Sequence, residues 1–259
     1  MKFTKMQALG NDYIYINAMN EKIENPSELV RKLSDRHFGV GGDGVIFIDF
    51  SEKADVKMRM YNADGTEGKL CGNGVRCVAK YVYDHEIVRN KKIEIETYNR
   101  VIETKIFLKK DIDMMVADMG EVSVGEKNGK IIIGETEYSS DYVFIDNQHL
   151  VVYVDDVDEV DIKEWEDFTE FNVEFVSIID RGKIRMRVRE RGTGETMACG
   201  TGACAAAAAC MMRTYVDNCV KVNMPGGNLF IEWDKESNHI FMTGEAKTVF
   251  EGEIDVCLL

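Results

Sequence analysis

Two cysteines occupy matching positions in the two halves of this chain of 259 residues. Cys71 begins the string CGNGVRC and Cys199 begins CGTGACA, so each thiol precedes Gly-x-Gly and a helix-forming run. The same spacing of 128 residues aligns Glu67 with Glu195 and Phe47 with Phe175. This repeat predicts a duplicated unit, with the two thiols flanking one ligand between two domains.

A thiol just before a helix lies where unpaired backbone N–H groups and the helix dipole favour negative charge. We therefore expect the pKa of both thiols to be lowered and an anion site to form from the amides that follow them. These amides belong to Gly72, Asn73 and Gly74 in the first half and to Gly200, Thr201 and Gly202 in the second.

Such a pair of thiols suits acid–base chemistry at the α-carbon of an amino acid whose carboxylate occupies the anion site. One thiolate removes the α-proton from one face while the opposing thiol supplies a proton to the other face. The amides stabilise the negative charge that grows on the carboxylate. The predicted reaction is inversion of configuration, and it requires no cofactor.

The remaining cysteines are interpreted as small packed side chains: Cys77, Cys204, Cys210, Cys219 and Cys257. The cysteine spacings are not C-x-x-C and no histidine lies close to them in sequence, so no metal site is predicted. A thiol-based metal or redox binding module without turnover remains an alternative from a different functional class.

The composition of the chain limits the classes of molecule that it is expected to bind. The chain has 32 basic and 46 acidic residues, a net charge of −14, which argues against binding to a phosphate backbone. Its beginning lacks an apolar core of signal-peptide length, the apolar run 203–212 is too short to span a bilayer, and seven cysteines suggest reduced thiols. We expect a cytoplasmic protein that acts on a small amino acid, without nucleic acid or membrane partners, with a homodimer as an option.

Strand-like runs dominate both halves, and three helices are expected. One helix begins at Asn25-Pro26, with an N-cap and a first-turn proline, and runs to about Leu33; the others follow the two cysteine motifs. This pattern predicts an α+β fold of curved sheets wrapped around a central helix in each of two pseudo-symmetric domains, 1–119 and 120–259. The last strand has the option of packing back on the first half. The predicted strands are 13–16, 45–50, 56–61, 93–97, 101–108, 131–133, 142–145, 151–154, 175–179, 184–188, 220–224, 229–233, 240–243 and 253–256.

Over nearly its whole length the chain resembles the diaminopimelate epimerases, cofactor-independent enzymes that interconvert LL- and meso-diaminopimelate on the lysine and cell-wall pathway. The resemblance is carried by KMQALGNDY, DRHFGVGGDG, YNADGTEGKLCGNGVRC, NVEFV and RERGTGETMACGTGACAAA. It implies an isomerase whose domains are mostly antiparallel sheets or barrels around a central helix.

The resemblance also implies roles for individual residues. Cys71 and Cys199 become the two acid–base thiols, with Glu190 assisting Cys199 and His149 assisting Cys71. The reacting carboxylate lies against Gly72-Asn73 and Gly200-Thr201, and further substrate contacts come from Asn11, Asn62, Asn147, Asn172, Glu190 and Arg191. Read without the resemblance, Asn11 and Asn62 are typical of turns, Glu190 and Arg191 of a solvated charge pair, and His149 of a structural histidine.

The chain departs from the family pattern at one loop. Asp146-Asn147-Gln148-His149 stands where the family usually carries Gly-Asn-Pro-His, so the asparagine and histidine are kept while the glycine and proline are lost. This departure leaves open another amino-acid racemase of the same fold, acting for example on histidine or a proline-like substrate.

Overall fold

The structure is a computed structural model that describes residues 1–20, 23–68, 71–108, 113–125, 129–168 and 170–255. Its helices are α1 (Pro26–Ser34), α2 (Gly72–Asp84) and α3 (Gly200–Met212), and two short 3-10 helices cover Val157–Glu159 and Ile162–Trp165. The first strands are β1 (Lys2–Ala8), β2 (Asn11–Asn17), β3 (Gly44–Asp49), β4 (Val56–Asn62), β5 (Glu67–Gly68), β6 (Lys92–Glu96), β7 (Val101–Leu108), β8 (Asp113–Glu121) and β9 (Ser123–Val124). The others are β10 (Gly129–Ile133), β11 (Thr136–Ile145), β12 (Asn147–Tyr153), β13 (Asn172–Asp180), β14 (Lys183–Glu190), β15 (Gly194–Thr196), β16 (Cys219–Met224), β17 (Gly227–Trp233), β18 (His239–Glu245) and β19 (Lys247–Glu253).

The chain forms two compact units. The first comprises Met1–Ala117 together with the chain from Gly244 onwards, and the second comprises Asp118–Thr243. The return of the chain to the first unit has a simple cause, because β19 pairs antiparallel with β1. The sequence-based division at residue 119 places this strand in the second half and keeps its packing on the first half as an option.

In each unit most neighbouring strands are antiparallel, and two pairs are parallel. The first unit runs β19, β1, β2, β3, β4, β6, β7, β8, with β2/β3 and β4/β6 parallel. The second runs β10, β11, β12, β13, β14, β16, β17, β18, with β12/β13 and β14/β16 parallel. The repeat seen in the sequence is therefore a repeat of strand pairing, in which β2 to β8 correspond to β12 to β18.

The helix after each cysteine is mostly buried, and in α3 the reason is that its residues leave no polar face. In α3 eleven residues from Gly200 to Met211 are buried, and most of them are alanines. A helix that is apolar on all sides is stable only when it is surrounded by other elements, and small side chains let strands approach it closely. In α2 ten residues are buried, including Asn73 and Arg76.

Several sequence-based expectations differ from the structure in detail. The strands β1 and β8 are absent from the expected set, and the last strand lies earlier than the predicted 253–256, of which residue 256 lies outside the described residues. Asn25 precedes α1, but its side chain makes no capping bond and its Nδ2 instead donates to Glu28 Oε2 at 3.0 Å. Cys77, Cys204 and Cys210 are packed as expected, Cys257 lies outside the described residues, and the expectation for Cys219 is wrong, because it begins β16 on the outward side and is exposed.

Candidate active site

Cys71 is the N-cap of α2. Its Sγ accepts a hydrogen bond from the backbone N–H of Gly74 at 3.2 Å and donates to Asn11 Oδ1 at 3.2 Å. The extended backbone of Cys71 turns the chain into the helix, as an N-cap residue must. The predicted position of this thiol at a helix N-terminus is thus observed.

Asn11 is oriented by a carboxylate that the sequence analysis did not select. Its Nδ2 donates to Asp43 Oδ2 at 2.7 Å, and Asp43 in turn accepts from Arg36 Nη2 at 3.0 Å. Because the amide nitrogen is held by Asp43, the amide oxygen is turned toward the thiol of Cys71. Asn11 is therefore more than a turn residue.

The other predicted residues of the first unit lie close to α2 or at the end of β4. Asn73 is buried in the first turn of α2, where its Oδ1 accepts from the fully buried Arg76 at 2.8 Å. This bond occupies the side-chain oxygen of Asn73 and leaves its backbone amide at the helix end. Asn62 closes β4, and its Nδ2 donates to Thr66 Oγ1 at 3.1 Å, as in the turn expected without the resemblance.

Cys199 repeats this geometry as the N-cap of α3. Its Sγ accepts from the N–H of Gly202 at 3.4 Å and lies 3.5 Å from Thr201 Oγ1. The cysteine is 7% exposed. In both units the third amide of the helix is thus taken by sulfur, while the first two amides remain at the helix end for an anion.

The surroundings of Cys199 are acidic. Burial, followed by the charges of Glu190 and Glu174, raises the pKa of the Cys199 thiol well above its usual value. The expectation of a lowered pKa is wrong for Cys199, because desolvation and two nearby carboxylates outweigh the hydrogen bonds from Thr201 and Gly202.

Glu190 lies close enough to Cys199 for its charge to raise the pKa of that thiol, and its Oε1 accepts from Thr196 Oγ1 at 2.6 Å. Burial raises the pKa of the Glu190 carboxyl, against the hydrogen bonds from Thr196 and Cys199 and with a contribution from Glu174. The interpretation of Glu190 as part of a solvated charge pair with Arg191 is therefore wrong. A carboxyl with a raised pKa beside a thiol is suited to holding and passing a proton.

His149 belongs to the second unit and is completely buried. Its Nδ1 lies 2.7 Å from Glu174 Oε1 and its Nε2 lies 2.6 Å from Asn147 Oδ1. Glu174 is also a neighbour that raises the pKa of Cys199. The described contacts thus tie His149 to the group around Cys199, and its predicted assistance to Cys71 stays a prediction.

Asn172 and Arg191 are adjacent in the second unit, where Asn172 Oδ1 accepts from the backbone N–H of Arg191 at 2.8 Å. The side chain of Arg191 is exposed, and within the described part of the chain its guanidinium has no hydrogen bond or ion pair. It lines a cavity of about 790 Å³ together with Lys163 and Glu195. A guanidinium without a bound partner is suited to a carboxylate ligand.

Among the described residues, no group of three His, Cys, Asp or Glu side chains is placed to hold a metal ion. In the same ranges no helix is long and apolar enough to cross a membrane.

Sequence comparison decides the family. The model of the family described as diaminopimelate epimerase matches residues 3–125 and 142–249. The chain belongs to the diaminopimelate epimerase family. Curated relatives include the diaminopimelate epimerases of Methanococcus maripaludis, strain C6, at 44% identity over 99% of this chain and 100% of the relative, and of Agathobacter rectalis, at 42% identity over 99% and 100%. The sequence-based assignment to this family of isomerases is confirmed.

Solved structures of low identity show the same fold. A Bacillus anthracis phenazine biosynthesis protein of the PhzF family aligns with a TM-score of 0.78 at 17% identity, covering 98% of this chain and 99% of that chain. A hydroxyproline epimerase from Agrobacterium vitis, solved with bound trans-4-hydroxy-L-proline, aligns with a TM-score of 0.72 at 13% identity, covering 98% and 90%. The predicted α+β fold of two curved sheets is confirmed.

The departure from the family loop is accommodated by the backbone. Asp146, at the position where diaminopimelate epimerases usually have glycine, adopts a positive φ of 58°. Aspartate tolerates this left-handed conformation better than most residues, so the turn survives without glycine. Gln148, in place of proline, is exposed and pairs with Phe144 in the β11/β12 hairpin. Asn147 and His149 therefore sit in one regular strand.

Proposed function

We propose that the chain interconverts LL- and meso-2,6-diaminopimelate by proton transfer between an α-carbon of the substrate and the thiols of Cys71 and Cys199. The observation that carries this proposal is the repeated N-cap geometry, in which each sulfur lies within 3.4 Å of the third amide of a helix. A repeated thiol at a repeated anion site fits a reaction that treats the two faces of one carbon alike.

The proposed binding mode uses the first two amides of α2 and α3 for the reacting carboxylate. These belong to Gly72 and Asn73 in one unit and to Gly200 and Thr201 in the other. The N–H groups and the helix dipoles favour an anion, and they stabilise the additional charge that reaches the carboxylate when the α-proton leaves. This stabilisation supplies what a cofactor supplies in other racemases.

The proposed transfer balances protons within one turnover. The thiolate of one cysteine forms an S–H bond as the Cα–H bond breaks, and the S–H bond of the other cysteine breaks as a new Cα–H bond forms on the opposite face. Thiolate and thiol have then exchanged places, so the enzyme is ready for the reverse direction. This mechanism requires one thiol on each face of the substrate carbon.

The carboxyl of Glu190 is the proposed proton partner of Cys199, since it lies close enough for the pKa of each group to respond to the other. Burial raises the pKa of the Glu190 carboxyl, which favours its protonated form, the form in which it can donate a proton toward the sulfur. His149 is the further proposed acid–base group, with Asn147 on its Nε2.

Asn11, Asn62, Asn172 and Arg191 are the proposed contacts to the rest of the substrate. The unpaired guanidinium of Arg191 favours a substrate with a second carboxylate, such as diaminopimelate, over histidine or a proline-like amino acid. The proposed setting is the formation of lysine and peptidoglycan precursors in the cytoplasm. A homodimer stays a prediction.

The proposal is tested with purified protein under reducing conditions and a panel of enantiopure amino acids followed by chiral chromatography. LL-diaminopimelate should give the meso isomer, while histidine and proline should stay unchanged. Cys71→Ser and Cys199→Ser should each lose nearly all interconversion, with Cys219→Ser as a matched control because Cys219 is exposed on β16. Full activity in either single variant, or inversion of proline or histidine instead, would reject the assignment.

A further inference from the structure

Glu174 is a charged residue at a position where the fold accepts an apolar one. It is completely buried in β13, within the buried run from Asn172 to Ser177. The residue 128 positions earlier, on the corresponding strand β3, is Ile46, which is also completely buried. Because burying a carboxylate costs free energy, a charge at only one of two equivalent positions indicates a purpose other than packing.

The contact that offsets this cost is the bond to His149. Glu174 Oε1 accepts from His149 Nδ1 at 2.7 Å, and both side chains are completely buried. Glu174 Oε2 has no hydrogen-bond partner among the described residues. A carboxylate on Nδ1 fixes the orientation of the imidazole ring and directs Nε2 toward Asn147.

Glu174 also lies against the first turn of α3, at a place that only glycine leaves free. A Cβ atom on Gly202 would lie 2.6 Å from Glu174 Oε1 and 3.2 Å from its Cγ. Gly202 is the residue whose N–H donates to the sulfur of Cys199. One carboxylate therefore contacts both the histidine and the turn that holds the thiol, at the positive end of the helix.

The corresponding glycine of the first unit has a different neighbour. A Cβ atom on Gly74 would meet the side-chain ends of Ile46 and Met58 at 2.8 and 2.9 Å. The same Cys-Gly-x-Gly motif therefore makes room for a carboxylate in one unit and for apolar side chains in the other.

We propose that Glu174 is a positioning residue for the proposed epimerase reaction, which holds the His149 ring in its working orientation beside the Cys199 turn. The inference rests on the proposed function. Glu174 does not contact the substrate in this proposal. Loss of its charge should leave the His149 ring without a fixed orientation. Proton transfer should then be slower, while substrate binding stays largely intact.

The test combines kinetics with histidine NMR on the full chain. Glu174→Gln keeps the volume and removes the charge, and we expect kcat to fall about 10- to 100-fold with KM unchanged, the range known for carboxylates that orient metal-binding histidines. Ser177→Ala is the matched control, because it removes another buried polar group of β13 that is not bonded to His149, and it should keep the kcat of the unmodified protein.

The ring itself is observed through side-chain ¹⁵N shifts, since the chain has only four histidines. The His149 signals, assigned by their absence in His149→Gln, should move in Glu174→Gln and stay in Ser177→Ala. Gly202→Ala should move them as well because it displaces the carboxylate, whereas Gly74→Ala should leave them in place.

Unchanged kcat or unchanged His149 signals in folded Glu174→Gln would each overturn the positioning role. If Glu174→Gln does not fold, the contrast between Gly202→Ala and Gly74→Ala decides, and equal His149 spectra in the two overturn the proposal. If the unmodified protein inverts no amino acid, the proposed function is contradicted instead. The histidine signals alone then test the Glu174–His149 contact.

Discussion

At the scale of single residues, the two thiols have matching backbones and different chemical neighbours. Cys71 donates to the amide oxygen of Asn11, whereas Cys199 shares its buried position with Glu190 and Glu174. The raised pKa of Cys199 means that this sulfur rests as a thiol near neutral pH. In the proposed cycle Cys199 therefore begins as the proton donor, and it acts on the isomer whose α-proton faces Cys71.

This difference predicts the pH dependence of alkylation. Iodoacetamide reacts with the thiolate, so Cys199 should react with a midpoint above the usual pKa of a thiol. Glu190→Gln removes the neighbouring carboxylate that contributes more to the raised pKa of Cys199, and it should move this midpoint to lower pH. Peptide mass spectrometry after timed labelling between pH 6 and pH 10, about the range in which thiols titrate, gives the rate for each cysteine.

Glu195→Gln is the control for this measurement, because Glu195 is paired with Arg187 in a nearby strand and does not contribute to the raised pKa of Cys199. Its Cys199 midpoint should equal that of the unmodified protein. An unshifted midpoint in Glu190→Gln would contradict the electrostatic account.

The sequence was sufficient to predict the two cysteines and their helix ends, because a Cys-Gly-x-Gly motif that recurs before two helix-forming runs rarely arises by chance. It was insufficient for Glu174, whose strand NVEFV has the pattern of a core strand. The offset of 128 residues contained a usable signal, a glutamate aligned with Ile46. Asp43 offered no comparable signal, because its role depends on where the side chain of Asn11 lies.

At the scale of elements, the sulfur of Cys71 also stabilises α2. Cys71→Ala removes the acceptor of the Gly74 N–H, while Cys71→Ser replaces it with a hydroxyl oxygen. The alanine variant should therefore be less stable than the serine variant by about 0.5–2 kcal/mol. Urea unfolding of the two inactive proteins measures this difference, and equal stability would show that the sulfur is not a cap.

The turn at Asp146 permits a second test at this scale. Asp146→Gly should retain the turn, because glycine adopts a positive φ without strain. Asp146→Val should lose about 1–2 kcal/mol, the cost of a left-handed backbone for a residue with a bulky Cβ. Gln148→Val is the control, since a β-branched residue suits its exposed strand position. If valine is tolerated equally at both positions, the turn is not what holds this loop.

Strands that bury a charged residue against a partner on another strand were the ones that the sequence could not predict. Strand β1 contains two lysines, and Lys5 is nevertheless buried because it pairs with Asp12 at 2.6 Å. Nothing in the local pattern shows that this charge has a partner. The strands with β-branched residues, such as β3 and β13, needed no such information.

At the scale of the whole molecule, the repeat is a repeat of pairing as well as of sequence. The helices α2 and α3 begin 128 residues apart, and the parallel pairs β2/β3 and β12/β13 precede them in the same order. A duplicated fold supplies two copies of the helix-end thiol, and substitutions such as Ile46 to Glu174 make the copies unequal. The central claim is that these two thiols act on one carbon.

The most direct test of that claim is solvent deuterium labelling at low conversion. When LL-diaminopimelate is incubated with the reduced protein in deuterated buffer, two acting thiols should give meso product with deuterium at the inverted carbon while the remaining substrate is nearly unlabelled. Product that keeps its original α-hydrogen, or substrate and product labelled equally from the first turnovers, would contradict a mechanism with one thiol on each face.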